Sequence, residues 1–369
     1  MRFDISRAAD DREIRRLLRD NPMPGDISLT LEREPCFDLG AAVEGEIGHT
    51  IVARETPEGP LAGMGHRSAF RAYVNGRETT IGYLGGLRID QSYRGRLSIL
   101  KGGYRALRGL NEDDNVCFNV TTIVADNTRA RRLLEAGLED LPSYEPLDEL
   151  VTLILPVRGL LKRGSAPARA PVRRAGVDDL DGLLDCLARN GRRHQLTPVW
   201  TRRSLSSDVR TRGLGLDDFV VAVAHGRIIG CLACWDQREF KQTVVHGYSP
   251  RLRRMRPWLN LLAPWVGTVS LPSPGTSLPL GFLSHLAIDD DAPELMDALV
   301  SAAAEVAAGH GLELVSLGLS ARSPLLKAIR RSRRVQEYRS VVYLVRWPDL
   351  DTAPPQLDPR VMHLEAATL

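Results

Sequence analysis

Between Leu87 and Leu100 the chain reads LRIDQSYRGRLSIL: an apolar strand end, a short basic turn, then a helix start near Arg96 or Leu97. A helix start presents backbone N–H groups without intrahelical acceptors, together with partial positive charge. Flanked by Arg94 and Arg96, it suits a phosphate or pyrophosphate, and it equally describes a solvated connection. Cys231-x-x-Cys234 has the spacing of a metal or redox pair. Three-residue separation on a strand turns two thiols to opposite faces, and no second pair exists, so core packing and no metal are expected. Two arginine clusters stand out, Arg251, Arg253, Arg254, Arg256 and Arg330, Arg331, Arg333, Arg334. The first precedes the apolar run PWLNLLAPWVG. Arginines interleaved with aromatics suit nucleic acid or an anionic membrane surface. The preferred reading is a solvated helix edge covering a core-facing Trp258–Trp265 pair, with neither a membrane nor a nucleic-acid partner.

The elements that carry these residues fall into two similar runs. In the first, a strand at Phe3–Ile5 precedes a helix to Leu18, with Ile14, Leu17 and Leu18 at helical spacing. A second helical stretch covers Phe37–Glu46. Strands follow at His49–Arg54, Leu61–Val74 and Arg77–Ile89, the last two joined by the hairpin signal Asn75-Gly76. Next come a helix to Leu110, strand Val116–Val124, helix Thr128–Ala136 and strand Glu149–Val157. The second run repeats the order. It has strand Val172–Arg174, helices Val177–Asn190 and Pro198–Val209, strands Phe219–Ala224 and Ile228–Trp235, and an extra helix near Leu252–Pro264. Strand Leu278–Ile288, helix Pro293–Ala308, strand Leu312–Leu319, helix Pro324–Arg331 and strand Val335–Trp347 complete it. The repetition predicts a duplicated α+β fold. Domain boundaries are expected at 1–157 and 172–348, with RGLLKRGSAPARAP (158–171) as linker and the proline-rich 349–369 as tail.

The order of elements and two motifs resemble the GCN5-related N-acetyltransferase (GNAT) superfamily. The first motif is Arg94-Gly95-Arg96-Leu97-Ser98-Ile99, preceded by Tyr93 and by Leu87-Arg88-Ile89; the second is Asn127-Thr128-Arg129-Ala130-Arg131-Arg132-Leu133-Leu134-Glu135. The resemblance implies two tandem GNAT-like domains, each a mostly antiparallel sheet flanked by helices. It implies acetyl-CoA as co-substrate, its pyrophosphate on the Arg94–Ile99 turn, its pantetheine along Leu87–Ile89, and Asn127 holding the pantetheine arm. The implied activity moves an acetyl or short acyl group to an amine by direct attack in a ternary complex. The alternative is a non-catalytic acyl-CoA-binding or regulatory protein. Leu97 and Ile99 replace small residues of the family pattern, and Leu134 replaces a tyrosine that protonates the leaving thiolate. Tyr144 is a substitute acid, or a packed loop tyrosine. For the base that strips the acceptor ammonium, Glu78, His66 and His285 are candidates. Against them stand an exposed hairpin carboxylate, a half-buried histidine and a site without phosphate binding. The helix start equivalent to Arg94–Ile99 in the second run is Asp289-Asp290-Asp291-Ala292-Pro293-Glu294, which would repel a pyrophosphate. That copy is left to shape the acceptor pocket or a homodimer contact, the acceptor being a small amine or peptide.

Composition bounds the remaining classes. Hydrophobic residues make up 43% and charged residues 26%, which excludes global disorder. No apolar run reaches the roughly 18 residues of a membrane span. The N-terminal MRFDISRAADDREIRRLL lacks the apolar stretch of a signal peptide, and five irregularly spaced cysteines do not make a disulfide framework. A cytoplasmic location is expected. Net charge is +3, so no global field draws a polyanion.

Overall fold

The computed structural model describes residues 1–163, 170–207, 209–266, 270–333, 335–347 and 356–369. The first run forms β1 (Arg2–Ile5), α1 (Asp11–Arg19), β2 (Ile27–Glu32), α2 (Phe37–Ala41), β3 (Ile47–Arg54), β4 (Leu61–Val74), β5 (Arg77–Ile89), α3 (Leu97–Asp113), β6 (Asn119–Val124), α4 (Thr128–Glu135) and β7 (Ser143–Pro156). The second forms α5 (Val157–Arg163), β8 (Val172–Arg174), α6 (Leu180–Gly191), β9 (Thr197–Pro198), α7 (Arg202–Leu205), β10 (Phe219–Ala224), β11 (Arg227–Trp235) and β12 (Gln242–Tyr248). It ends with α8 (Pro250–Val266), β13 (Leu280–Ile288), α9 (Pro293–Gly309), β14 (Leu314–Ser320), α10 (Pro324–Ser332) and β15 (Gln336–Arg346).

Local chemistry accounts for the elements around the candidate site. In α1, Asp11 and Glu13 complement the first turn and Arg16 and Arg19 the last, while Ile14, Leu17 and Leu18 are buried. β4 and β5 turn back at Asn75-Gly76, whose φ values of 52° and 78° are those of a tight hairpin turn. Asn127 caps α4, its Oδ1 accepting from Ala130 N at 3.2 Å.

Both runs belong to one 13-stranded sheet, ordered β1-β3-β4-β5-β6-β15-β7-β14-β13-β11-β10-β8, with β9 paired to β4. Its pairs are antiparallel except β5–β6 and β13–β14. The α+β class with helix-flanked, mostly antiparallel strands is as expected. The join between the halves is a strand exchange: β15 lies between β6 and β7, and β7 lies between β15 and β14. Thus Val341 faces Ile123 in β6, and Leu153 of β7 faces Leu317 in β14. Apolar side chains of α3 and α4 cover one face of the first half, and those of α1 and α2 the other. The largest core buries α9 and α10 against the second half.

Several local readings of the sequence are corrected. The expected helix at Pro198–Val209 is only α7, because Thr197 and Pro198 pair with Tyr73 and Ala72 as β9, and Thr201 then caps a single short turn. β2 and β12, which no sequence signal marked, form a separate two-stranded ribbon linking the halves. The expected linker begins as helix α5; residues 164–169 lie outside the described residues. Of the expected tail, residues 349–355 lie outside them too, but 356–369 are packed, with Met362, Leu364 and Ala367 buried. Arg334 also lies outside the described residues. Cys231 and Cys234 are both fully buried, as expected for core packing.

Candidate functional site

The parallel pair β5–β6 is joined only at Gly82–Asn119 and Tyr83–Val120. Beyond these residues the strands part. A bulge against β4 assists the parting: Met64 faces Arg88, but His66 faces Gly85, so Gly86 and Leu87 together oppose the single residue Gly65. Gly86 has φ 62°, a conformation that costs glycine little and other residues more. The opening holds a cavity of about 480 Å³. Residues from both faces of the sheet line it, among them Leu18, Met64 and Phe37 on the α1–α2 side and Leu100, Tyr104 and Leu107 on the α3 side. The cavity therefore passes through the sheet at the point where β5 and β6 separate.

The sequence-selected residues occupy this region unequally. Leu87, Arg88, Ile89, Ile99, Asn127 and Tyr144 line the cavity. Arg94, Gly95, Arg96 and Ser98 form the exposed turn and helix start beside it. Gly95 has φ 87° with nothing within 4 Å of an added Cβ, leaving the turn open. Arg94 donates to Asn21 Oδ1 at 3.1 Å, and Arg96 pairs with Glu55 at 2.8 Å. Ile99 is only 4% exposed and packs on Ala53 and Ala62, and Leu97 packs on the α3 core, so neither side chain obstructs the turn. Arg88 is half-buried; its Nη1 donates to Leu87 O, and desolvation depresses its basicity.

Glu78 sits near the β4–β5 hairpin, exposed and paired with Arg71 at 3.2 Å, outside the cavity lining. His285 lies in the other half, buried against Trp200, Phe219 and Trp235, and burial lowers its pKa to about 3. The geometry does not bring either to the cavity. Tyr144 is brought there; its hydroxyl bonds that of Tyr104, and burial raises both hydroxyls' pKa values, Tyr104 to about 12. His66 is brought there as well. Its Nδ1 lies 2.9 Å from Thr50 Oγ1, while buried Nε2 has no hydrogen-bond partner and stands 3.8 Å from Glu44 Oε2. Arg33 Nη2 holds the other oxygen of Glu44 at 3.2 Å. Desolvation lowers the His66 pKa, so the ring is neutral at pH 7.

Arg33, Glu44, Tyr104, Ser340 and Leu369 also line the cavity and were not found from the sequence. Ser340 arrives on the exchanged strand β15. No local pattern announces a residue delivered from the far half of the chain. Glu44 follows α2 within the apolar DLGAAVEG, where the one visible signal is a carboxylate that then proves buried.

The second half repeats the frame without the opening. β13 and β14 pair in parallel only at Leu280–Leu314 through Phe282–Ser316, and the bulge residue His285, φ 52°, is the counterpart of Gly86. Residues 361–369 fill the gap. Glu365 accepts from His285 N at 2.7 Å, and Ala366 packs on Gly318. The space left is about 20 Å³, room for a water molecule rather than a cofactor arm. At the helix start, Asp289 bonds Arg189 and Asn190, and Asp291 pairs with Arg193 and His194.

A strand order with splayed parallel strands, a bulge on the first and a basic helix start between them is a specific frame. A GNAT protein from Sphaerobacter thermophilus superposes on it with TM-score 0.53 and 15% identity, covering 95% of this chain and 97% of that one. The fold is that of the GNAT superfamily. Saccharomyces cerevisiae N-myristoyltransferase with bound myristoyl-CoA superposes at TM-score 0.57 and 14% identity, over 93% of this chain and 82% of that one. A GCN5-related glucosamine N-acetyltransferase region of a fungal multi-domain enzyme gives 0.59 and 14%, over 93% of this chain and 38% of that one. No protein-family model and no curated protein matches the sequence. Within this GNAT fold the opening is confined to the first half. Among the described residues no cluster of His, Cys, Asp or Glu is arranged to hold a metal.

Proposed function

We propose that the chain is an acyl-CoA-dependent N-acyltransferase, moving an acetyl or other short acyl group to an amine in a ternary complex. The observation that carries this reading is the cavity threading the split between β5 and β6 from the Arg94–Ile99 side to His66 and Glu44. Structural neighbours supply support of a coarser kind, since they are named as N-acetyl- and N-myristoyltransferases.

The exposed N–H groups at the start of α3, with Arg94 and Arg96, bind the pyrophosphate. The β5 edge from Gly85 to Ile89, which β6 leaves unpaired, takes the pantetheine amides, and its N–H groups polarise the thioester carbonyl. Neutral His66, through Nε2, takes the proton released as the amine nitrogen bonds to the carbonyl carbon and the C–S bond breaks. Glu44 stabilises the imidazolium so formed. The sulfur departs on the Tyr144 side as a thiolate and takes the proton of the Tyr144 hydroxyl; solvent then returns a proton to Tyr144 as His66 releases the one it took. Most of the acceleration comes from holding amine and thioester in one geometry.

Thiol release from acetyl-CoA and other short acyl-CoA thioesters against a panel of amines and amino-terminal peptides tests the reading. Turnover that falls about 100-fold or more in His66→Gln, with CoA affinity retained, is the expected result. CoA binding without turnover across the panel would instead assign a regulatory, non-catalytic role.

A further inference from the structure

Helix α8 is held to the protein on one side. Arg256 donates from Nε to Leu271 O at 2.9 Å and from Nη2 to Ser273 Oγ at 3.0 Å, and lies over the Tyr248 ring. One turn on, Asn260 both donates to and accepts from the Leu271 backbone, at 2.9 and 2.7 Å. Leu252, a turn earlier, is half-buried along the same line. The opposite line runs Arg251, Arg254, Met255, Trp258, Leu261, and all five are exposed. Trp258, expected from the sequence to face a core, is 70% exposed; the side chain of Trp265 lies outside the described residues.

Two features identify what covers this face. The first, among the described side chains, is the large Trp258 ring set among aliphatic groups, Met255 at 42%, Leu259 at 37% and Leu261 at 64% exposure. Such a mixture fits the boundary between lipid headgroups and acyl chains better than stacked bases, which would leave the aliphatic groups in water. The second is uncompensated charge. Among the described residues no carboxylate pairs with Arg251, Arg253 or Arg254, and residues 240–288 contain no Asp or Glu. The second arginine cluster contrasts with it, since Arg330 pairs with Glu337 and Arg333 with Asp297. α8 also continues from the site: Ser249 N donates to Asp26 O at 2.8 Å, and β12 pairs with β2, just after the Asn21–Pro24 stretch that lines the cavity.

We propose that the outer face of α8 seats the protein on an anionic lipid bilayer. Trp258, Met255 and Leu261 enter the headgroup–acyl boundary, and Arg251 and Arg254 contact lipid phosphates. The helix lies on the surface: no helix among the described residues is long and apolar enough to cross a membrane. This inference does not depend on acyl transfer.

Full-length protein is sedimented with phosphatidylcholine vesicles, with and without phosphatidylglycerol. Binding is expected to the anionic vesicles and to decline with added salt. Trp258→Ser should weaken it about tenfold or more. Arg251→Gln with Arg254→Gln should weaken it about 25-fold, near fivefold for each charge. Thermal unfolding of the variants serves as the folding control, since all three side chains are exposed. The proposal fails if the wild type ignores anionic vesicles or if these variants bind them as well as it does. It fails equally if Trp258→Ser only dissociates a homodimer seen by light scattering, or only abolishes binding of a single-stranded oligonucleotide.

Discussion

Removing Arg94 tests the assignment of the CoA pyrophosphate to the first half, and the size of the effect depends on what Arg94 does in the free protein. A charge-assisted hydrogen bond to phosphate contributes roughly 1.5–3 kcal/mol. Arg94 already donates to the neutral Asn21 amide at 3.1 Å, a contact worth about 1 kcal/mol that must be released. The net gain is about 0.5–2 kcal/mol, so Arg94→Ala should weaken CoA about 2- to 30-fold. Arg96 is committed to a carboxylate, Glu55, at 2.8 Å, so Arg96→Ala should cost less and Glu55→Ala should tighten binding. Asp290→Asn, at the equivalent helix start of the second half, should change nothing. It keeps a residue type tolerant of the φ of 57° found there. Isothermal titration calorimetry measures affinity and stoichiometry together. Two sites per chain, or an affinity indifferent to Arg94, would refute the assignment.

The acid limb of kcat should lie below pH 6.5, because desolvation lowers the His66 pKa and the unprotonated ring is the active form; a pH profile of kcat at saturating amine reads it. Stability should also fall with acid. His285 and His363 are held near pKa 3 by burial, so from pH 6.5 down to about 3 the unfolded chain binds protons the native chain refuses. His285→Asn should flatten that dependence in urea titrations between pH 4 and 7, asparagine being tolerant of its φ of 52°. In α3, Gly109 is exposed with open space around an added Cβ. Gly109→Ala should stabilise by about 1 kcal/mol. At an unfolding entropy of about 2.1 cal/mol/K per residue, calorimetry should register a rise of about 1 °C in Tm.

What the sequence disclosed was what local periodicity and turn chemistry encode. The Asn75-Gly76 hairpin, the Ile14–Leu17–Leu18 face of α1, the helix start at Leu97 and the Asn127 cap all depend on neighbours within a turn or two. So does the correspondence of His285 with Gly86, since both come from counting along matched strands. Sequence reading missed whatever depends on distant partners. The burial of Glu44 beside His66, the arrival of Ser340 on β15 and the packing of residues 361–369 into the second opening have no local signature. From Asp289–Asp291 the sequence predicts no CoA site in the second half; Asp289 and Asp291 are in fact paired with arginines, so the steric filling by Glu365 and Ala366 is the stronger obstacle. Trp258 misled because an apolar helical stripe looks the same whether a core or a lipid covers it.

The exchange of β7 and β15 also governs how the chain can be made. Each half lacks one interior strand until the other half supplies it, so neither sheet closes early in synthesis. While the ribosome is still short of Arg346, β6 presents an unpaired edge, the kind of surface that templates misassembly. Closing so long a loop adds only about 0.6 kcal/mol for each doubling of its length, but it defers the central pairing to the last stage of a slow, non-local search. The exchange ties the completion of each half to the other, and a break between them leaves two fragments, each holding a central strand that the other needs.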